Sequence, residues 1–137
     1  MTAQTSTTRG GLQVPPALHE LEAEVMEQVW ERGEPASVRD VMEALNAAAV
    51  KERAYTTIMT IMARLDGKGV LERRREGKTD LYTPRYTRDQ YADARARAEV
   101  DSIVDQFGDL ALAHIARQLA GLDPERRRAL QRLAREK

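Results

Sequence analysis

A mainly α fold carrying one small β-hairpin, with a further helical segment behind it, is what this chain of 137 residues predicts. Three observations carry that expectation. Apolar residues recur at helical spacing in three successive stretches before Asp66. The period then switches to alternation around a Glu76-Gly77-Lys78 tip. From Thr87 onward helical spacing returns, punctuated by Gly108, Gly121 and Pro124.

Residues 1–16 lack an apolar run and are expected to form a flexible leader; the same lack excludes a secretory signal. Leu18, Leu21, Val25, Met26, Val29 and Trp30 mark a first amphipathic helix, closed by Gly33 and Pro35. Its acidic series Glu22, Glu24, Glu27 and Glu31 reads as a solvated outer side. Ser37, with Asp40 three residues on, resembles an N-terminal cap for a second helix whose buried stripe is Val38, Val41, Met42 and Leu45. A third helix, about residues 54–66, follows and is stopped by Asp66-Gly67-Lys68-Gly69. A hairpin over about residues 70–84 then answers it, with Thr79 to Tyr82 as the returning strand. Three helices and a hairpin in this order make a winged helix-turn-helix over residues 17–86, an arrangement whose third helix enters the major groove of DNA.

The third helix carries the most information. From Arg53 to Leu65 there is no acidic residue, although 22 of the 137 residues are Asp or Glu. Ile58, Ile61, Met62 and Leu65 fall at i, i+3, i+4 and i+7, which turns Thr56, Thr57, Thr60 and Arg64 outward. β-Branched residues lose rotamer freedom in a helix, so three exposed threonines suit something other than folding. Short hydroxyl and methyl groups are what a major groove accommodates and reads. Tyr55 and Thr56 are expected at the DNA backbone, where free helix amides favour phosphate; packing of Tyr55 on the first helix is the alternative. On the hairpin, Arg73, Arg75 and Lys78 stand where phosphate contacts would be.

Residues 87–137 are expected to be a separate helical dimerisation domain. Thr87 with Gln90 resembles a capping box, and Tyr91, Ile103, Val104, Phe107, Leu110, Ile115 and Leu119 supply more apolar surface than the preceding domain can cover. A symmetric homodimer is the expected partner for these side chains; a self-contained three-helix satellite is the alternative.

Charge sharpens the functional reading. The chain is neutral overall, yet residues 1–52 carry four basic and nine acidic side chains, residues 53–91 nine and five, and residues 92–137 nine and eight. Nucleic-acid binding must therefore come from one localised basic face rather than from bulk attraction. With no cysteine there is no disulfide framework, thiolate metal cage or thiol nucleophile, and a reducing cytoplasm is the expected location. His19 and His114 stand apart, so no metal site or cofactor is expected. No nucleophile elbow, phosphate-cradling glycine loop or His-Glu-x-x-His occurs, so catalysis is not expected, and no run approaches the roughly 20 apolar residues of a membrane helix.

Leu-Glu-Ala-Glu-Val-Met-Glu-Gln-Val-Trp at Leu21 to Trp30, Ser-Val-Arg-Asp-Val at Ser37 to Val41, Ala-Tyr-Thr-Thr-Ile-Met-Thr-Ile-Met-Ala-Arg-Leu at Ala54 to Leu65 and Lys-Gly-Val-Leu at Lys68 to Leu71 resemble the penicillinase repressor family, the BlaI/MecI type. The likeness spans about residues 17–121. It implies a dimeric transcriptional repressor that binds palindromic operator DNA and is released by a regulatory event. By the resemblance, Thr57 and Thr60 would meet base edges and Arg64 phosphate, while Tyr82 with Pro84 matches the end of the wing. Antibiotic-responsive members are cleaved at an Asn-Phe bond after a membrane sensor is triggered, which implies a sensor-linked protease. Here the matching pair is Gln106-Phe107, with Gln in place of Asn, and Phe107 serving only as a dimer anchor is the alternative. Metal-sensing relatives use paired cysteines, which this chain lacks. Two rival functions stay open: a winged-helix regulator controlled by a small molecule at the dimer interface, and a winged-helix protein-interaction module.

Overall fold

The computed structural model describes residues 8–9, 12–48 and 51–136. Along them run β1 (Thr8–Arg9), β2 (Leu12–Gln13), α1 (Glu20–Arg32), α2 (Val38–Ala48), α3 (Tyr55–Gly67), β3 (Leu71–Glu76), β4 (Thr79–Pro84), α4 (Arg88–Phe107), α5 (Asp109–Ala120) and α6 (Pro124–Arg135). The mainly helical class with the antiparallel β3–β4 hairpin after three helices is as the sequence predicts; the short β1–β2 pair is not among its expectations. The chain divides into two compact units, the first ending at Ala96 and the second beginning at Arg97. The sequence reading set the division where α4 begins; the structure sets it inside that helix.

The first unit is built on the three apolar stripes. Val25, Met26 and Val29 of α1, Val41 and Leu45 of α2, and Ile58, Ile61, Met62 and Leu65 of α3 meet in one core, closed by Val70, Leu71 and Tyr82 of the hairpin region. Burying each such side chain contributes about 1.5–3 kcal/mol, enough to hold short helices that would not persist alone. The expected cap of α2 is present and reciprocal: the Asp40 amide donates to Ser37 Oγ at 3.1 Å and the Ser37 amide to Asp40 Oδ2 at 2.9 Å. Those bonds, ahead of the cost of burial, hold the Asp40 carboxyl below its usual range.

β3 and β4 pair antiparallel from Leu71 opposite Pro84 to Glu76 opposite Thr79. The two-residue turn places Gly77 at φ +64°, a left-handed conformation that glycine adopts without a Cβ penalty, as a tight hairpin requires. The strand pair is fastened to the helices at Tyr82, whose backbone exchanges hydrogen bonds with Ala36 at 2.8 and 3.0 Å and whose side chain is buried.

The end of the expected leader is held in place. β1 pairs with β2, and Pro15 is fully buried. Its carbonyl accepts from Arg95 at 3.0 Å, and the Pro16 carbonyl accepts from the Tyr91 hydroxyl at 2.6 Å. Burial raises the Tyr91 pKa, so the phenol stays protonated and donates. The expected leader is thus fastened at Pro15 and Pro16, and Tyr91 has intrachain partners in the first unit. The Tyr91 ring lies 5.7 Å from Trp30 and 6.5 Å from Tyr86. Trp30 Nε1 donates to the Tyr86 carbonyl at 2.8 Å, and Arg88 grips Glu27 at 2.6 Å while lying over the indole. The reciprocal Thr87–Gln90 capping box starts α4 at this point.

The second unit holds the rest of α4 with α5 and α6. Gly108, at φ +61°, separates α4 from α5 in a conformation that a side chain would strain. Asp123 caps α6 by accepting from the Arg126 amide at 2.8 Å, one residue before Pro124. Arg127 reaches back to the carbonyls of Leu119, Ala120 and Leu122, closing α5. Little of this unit's apolar surface is covered by the unit itself. Among its described residues only Ala111 is buried, while Val100, Ile103, Phe107, Leu110, Leu112, Ile115, Leu119 and Leu133 are exposed.

Candidate nucleic-acid interface

α3 turns one side to the core and the other to solvent. Ile58, Ile61, Met62 and Leu65 are buried; Tyr55, Thr56, Thr57, Met59, Thr60, Ala63 and Arg64 are exposed. Tyr55 is 44% exposed. The helix enters from Ala54 in an extended conformation with no side-chain cap. Alanine is a poor N-cap, by roughly 1 kcal/mol against Ser or Asp, and it leaves the first-turn amides without a side-chain acceptor. The entry to α3 is pinned instead by Asn46, which donates to the Arg53 carbonyl at 3.2 Å and accepts from its amide at 2.7 Å.

Met59 was not singled out by the sequence reading. It stands on the open side of α3, 42% exposed, between Thr56 and Thr60. Its position is legible in the helical period, since residue 59 falls off the stripe defined by Ile58, Ile61, Met62 and Leu65.

On the hairpin, alternation divides the basic residues. Arg73 and Arg75 lie on the side that carries Leu71 and Tyr82 toward the core, and both have acidic neighbours: Asp66 at 3.9 Å for Arg73 and Asp80 at 3.3 Å for Arg75. Such exposed pairs contribute at most about 1 kcal/mol and open readily to a phosphate. Lys78 is at the tip and exposed. Arg74, which the sequence reading passed over, points to the opposite side, exposed, and like Lys78 has no ion pair among the described residues. Strand period alone distinguishes it.

One acidic residue of α1 departs from expectation. Glu22 was grouped with Glu24, Glu27 and Glu31 on a solvated side, yet it is fully buried. It stands three, four and seven residues before Val25, Met26 and Val29, the spacing of the core stripe itself. Burial pushes its pKa up, but the His19 amide at 2.9 Å and the Lys68 ammonium at 2.8 Å prevail, so the carboxyl sits below its ordinary value. Arg64 Nη1 lies 3.9 Å from the same carboxylate oxygen as Lys68.

In the second unit Ile103, Phe107, Leu110 and Ile115 come together with Val100, Ala111, His114 and Gln118 around an open apolar cleft of about 560 Å³. Leu119 is exposed and Val104 half-buried. Gln106 and Phe107 are exposed at the last turn of α4. Among the described residues no helix is long and apolar enough to cross a membrane, and no group of three or more His, Asp or Glu is placed to hold a metal ion.

Comparison with known proteins gives concordant matches. The penicillinase repressor family model matches residues 18–136. The transcriptional regulator BlaI of Mycobacterium tuberculosis, in strains CDC 1551 / Oshkosh and ATCC 25618 / H37Rv, is 40% identical over 87 residues, 60% of this chain and 62% of the regulator. The matched part thus spans less than two thirds of those relatives. Among solved structures, the DNA-binding domain of the repressor BlaI is 28% identical, with a TM-score of 0.48, over 58% of this chain and 92% of that one. The monomeric form of Bacillus licheniformis BlaI in complex with the blaP half-operator is 28% identical, with a TM-score of 0.46, over 56% and 90%.

Proposed function

The chain belongs to the penicillinase repressor family, and from that membership we propose that it is a transcriptional repressor that binds palindromic operator DNA as a homodimer. The observation that carries the proposal is the open side of α3. From Tyr55 to Leu65 it is free of carboxylates, rich in hydroxyls, uncapped at its N-terminus and flanked by the exposed cations of the hairpin. A helix that docked protein would more often present an aromatic or leucine anchor to be desolvated. Short threonines are suited to base edges, where a hydroxyl donates or accepts and a methyl packs on thymine.

In this reading Thr57 and Thr60 read bases, with Met59 as an apolar neighbour for a thymine methyl. Tyr55, Thr56 and the free first-turn amides meet phosphate, joined by Arg64 and by Arg73, Arg74, Arg75 and Lys78 of the hairpin. Two such surfaces are joined by the apolar cleft of the second unit, where a second copy of the chain covers Ile103, Phe107, Leu110 and Ile115. Linking two half-sites raises affinity through effective concentration, and separating them loses it. Cleavage by a sensor-linked protease in response to a cell-wall antibiotic, at the exposed Gln106–Phe107 bond just before the Gly108 break, is a release mechanism consistent with this arrangement.

The test is a titration of a labelled palindromic fragment from the gene's own upstream region against a random duplex of equal length, at several salt concentrations. A repressor binds the palindrome more tightly, with half-sites one or two duplex turns apart by footprinting, and its affinity falls log-linearly with salt. Equal affinity for both duplexes refutes sequence-specific binding. Unchanged protein length in antibiotic-treated cells whose target genes have switched on refutes proteolytic release.

A further inference from the structure

Glu22 is the one buried charged side chain among the described residues. A carboxylate withdrawn from water is costly unless ionically paired, so whatever neutralises it is firmly held. Both cations that do so come from the C-terminal end of α3: Lys68, with its ammonium at 2.8 Å, and Arg64, with Nη1 at 3.9 Å, both directed at Glu22 Oε2. The carboxylate is itself fixed in α1 by the His19 amide at 2.9 Å. α3 therefore carries two positive charges at its C-terminal end, but one anion stands behind them.

We propose that Glu22 is a specificity-determining residue: by neutralising Lys68 and restraining Arg64 it keeps the end of the recognition helix from binding phosphate indiscriminately. The inference rests on the DNA-binding reading above. Phosphate contacts supply affinity without sequence information, so each cation withheld from the backbone lowers random binding more than operator binding. Lys68, only 29% exposed on its side chain, is taken out of the phosphate-binding set, and Arg64, 48% exposed, is left partly available. Discrimination then falls to Thr57 and Thr60.

The experiment uses the full chain and its Glu22→Gln variant, which keeps an acceptor for the His19 amide and removes the charge. Binding to the palindromic upstream fragment and to a random duplex is followed by fluorescence anisotropy from about 50 to about 200 mM salt. Each cation released to phosphate steepens the plot of log affinity against log salt by about 0.9, which makes binding about threefold more sensitive to salt over that range. The expected result is several-fold tighter random binding by E22Q at low salt, a steeper slope and a smaller ratio of operator to random affinity. Proportional weakening on both duplexes with an unchanged slope overturns the proposal, because a merely structural role predicts that outcome. Should E22Q unfold, the double variant E22Q/K68Q, which removes the buried charge together with its partner, is expected to bind random duplex within about twofold of the parent. A loss of slope near 0.9 in that variant would mean that Lys68 already serves phosphate, and overturns the proposal. If the parent itself shows no operator preference, both readings fall; if the parent discriminates and E22Q keeps its ratio and slope, this one alone falls.

Discussion

Replacing Thr57 and Thr60 together by alanine sets folding and binding against each other. Both side chains are exposed, and Ile58, Ile61 and Met62 of the same helix face the core, so the double change leaves no cavity. Alanine is favoured over threonine in a helix by roughly 0.5 kcal/mol, so the variant should gain about 1 kcal/mol of stability and about 4–8 °C in Tm. Binding should move the other way. A threonine hydroxyl at a base edge lies at the low end of the roughly 1–3 kcal/mol range for base contacts, which gives about 2 kcal/mol for two of them in one half-site. That corresponds to a loss of about 30-fold per half-site, and up to about 1,000-fold for a dimer on both. Affinity for a random duplex should scarcely change, since the cations are untouched. Calorimetry and anisotropy on the same preparations read both effects. A fall in Tm, or equal weakening on operator and random DNA, refutes the assignment of these threonines to base reading.

Three other outcomes are expected. Ala54→Asp should stabilise the protein by about 1 kcal/mol through a new N-cap, yet weaken DNA binding, because its carboxylate would occupy the first-turn amides; denaturant titration and anisotropy check the opposed signs. Phe107→Glu, at a side chain 55% exposed and lining the apolar cleft, should convert dimer to monomer in sedimentation and lower operator affinity more than random affinity, while leaving far-ultraviolet dichroism unchanged. Glu22 and Asp40 are both held below their ordinary carboxylate values in the folded chain, so their contribution is present above the unfolded pKa and lost as pH falls through the folded one. Denaturation midpoints should therefore drop on acidification below about pH 4.5, the ordinary Glu value, and drop less steeply in the Glu22→Gln variant.

Most of the fold was legible because its signals are local. The Ser37–Asp40 and Thr87–Gln90 caps, the Gly33, Gly67 and Gly121 ends and the Gly77-Lys78 turn each follow from residues within four positions of one another. The open side of α3 was read from period in the same way. What was missed divides into two kinds. Glu22, Met59 and Arg74 carry a period signal that the residue types obscure: a glutamate among acidic neighbours reads as solvent-facing, a lone methionine between threonines draws no reading, and an arginine reads as one of a run. The use of Tyr91 carried no local signal at all. Its partners Trp30 and Pro16 lie 61 and 75 residues away in sequence, and only the closed core brings them together.

The seat of Pro15 and Pro16 bears on how this protein is handled. Neither residue has an amide hydrogen, and their rings stiffen the backbone, so the pair offers two carbonyl acceptors with little freedom left to lose. Those acceptors are taken by Tyr91 and Arg95 at the root of α4. Shortened versions should accordingly start upstream of residue 15; beginning at α1 would remove the Pro16 acceptor of Tyr91 and the Pro15 acceptor of Arg95 and loosen the start of α4.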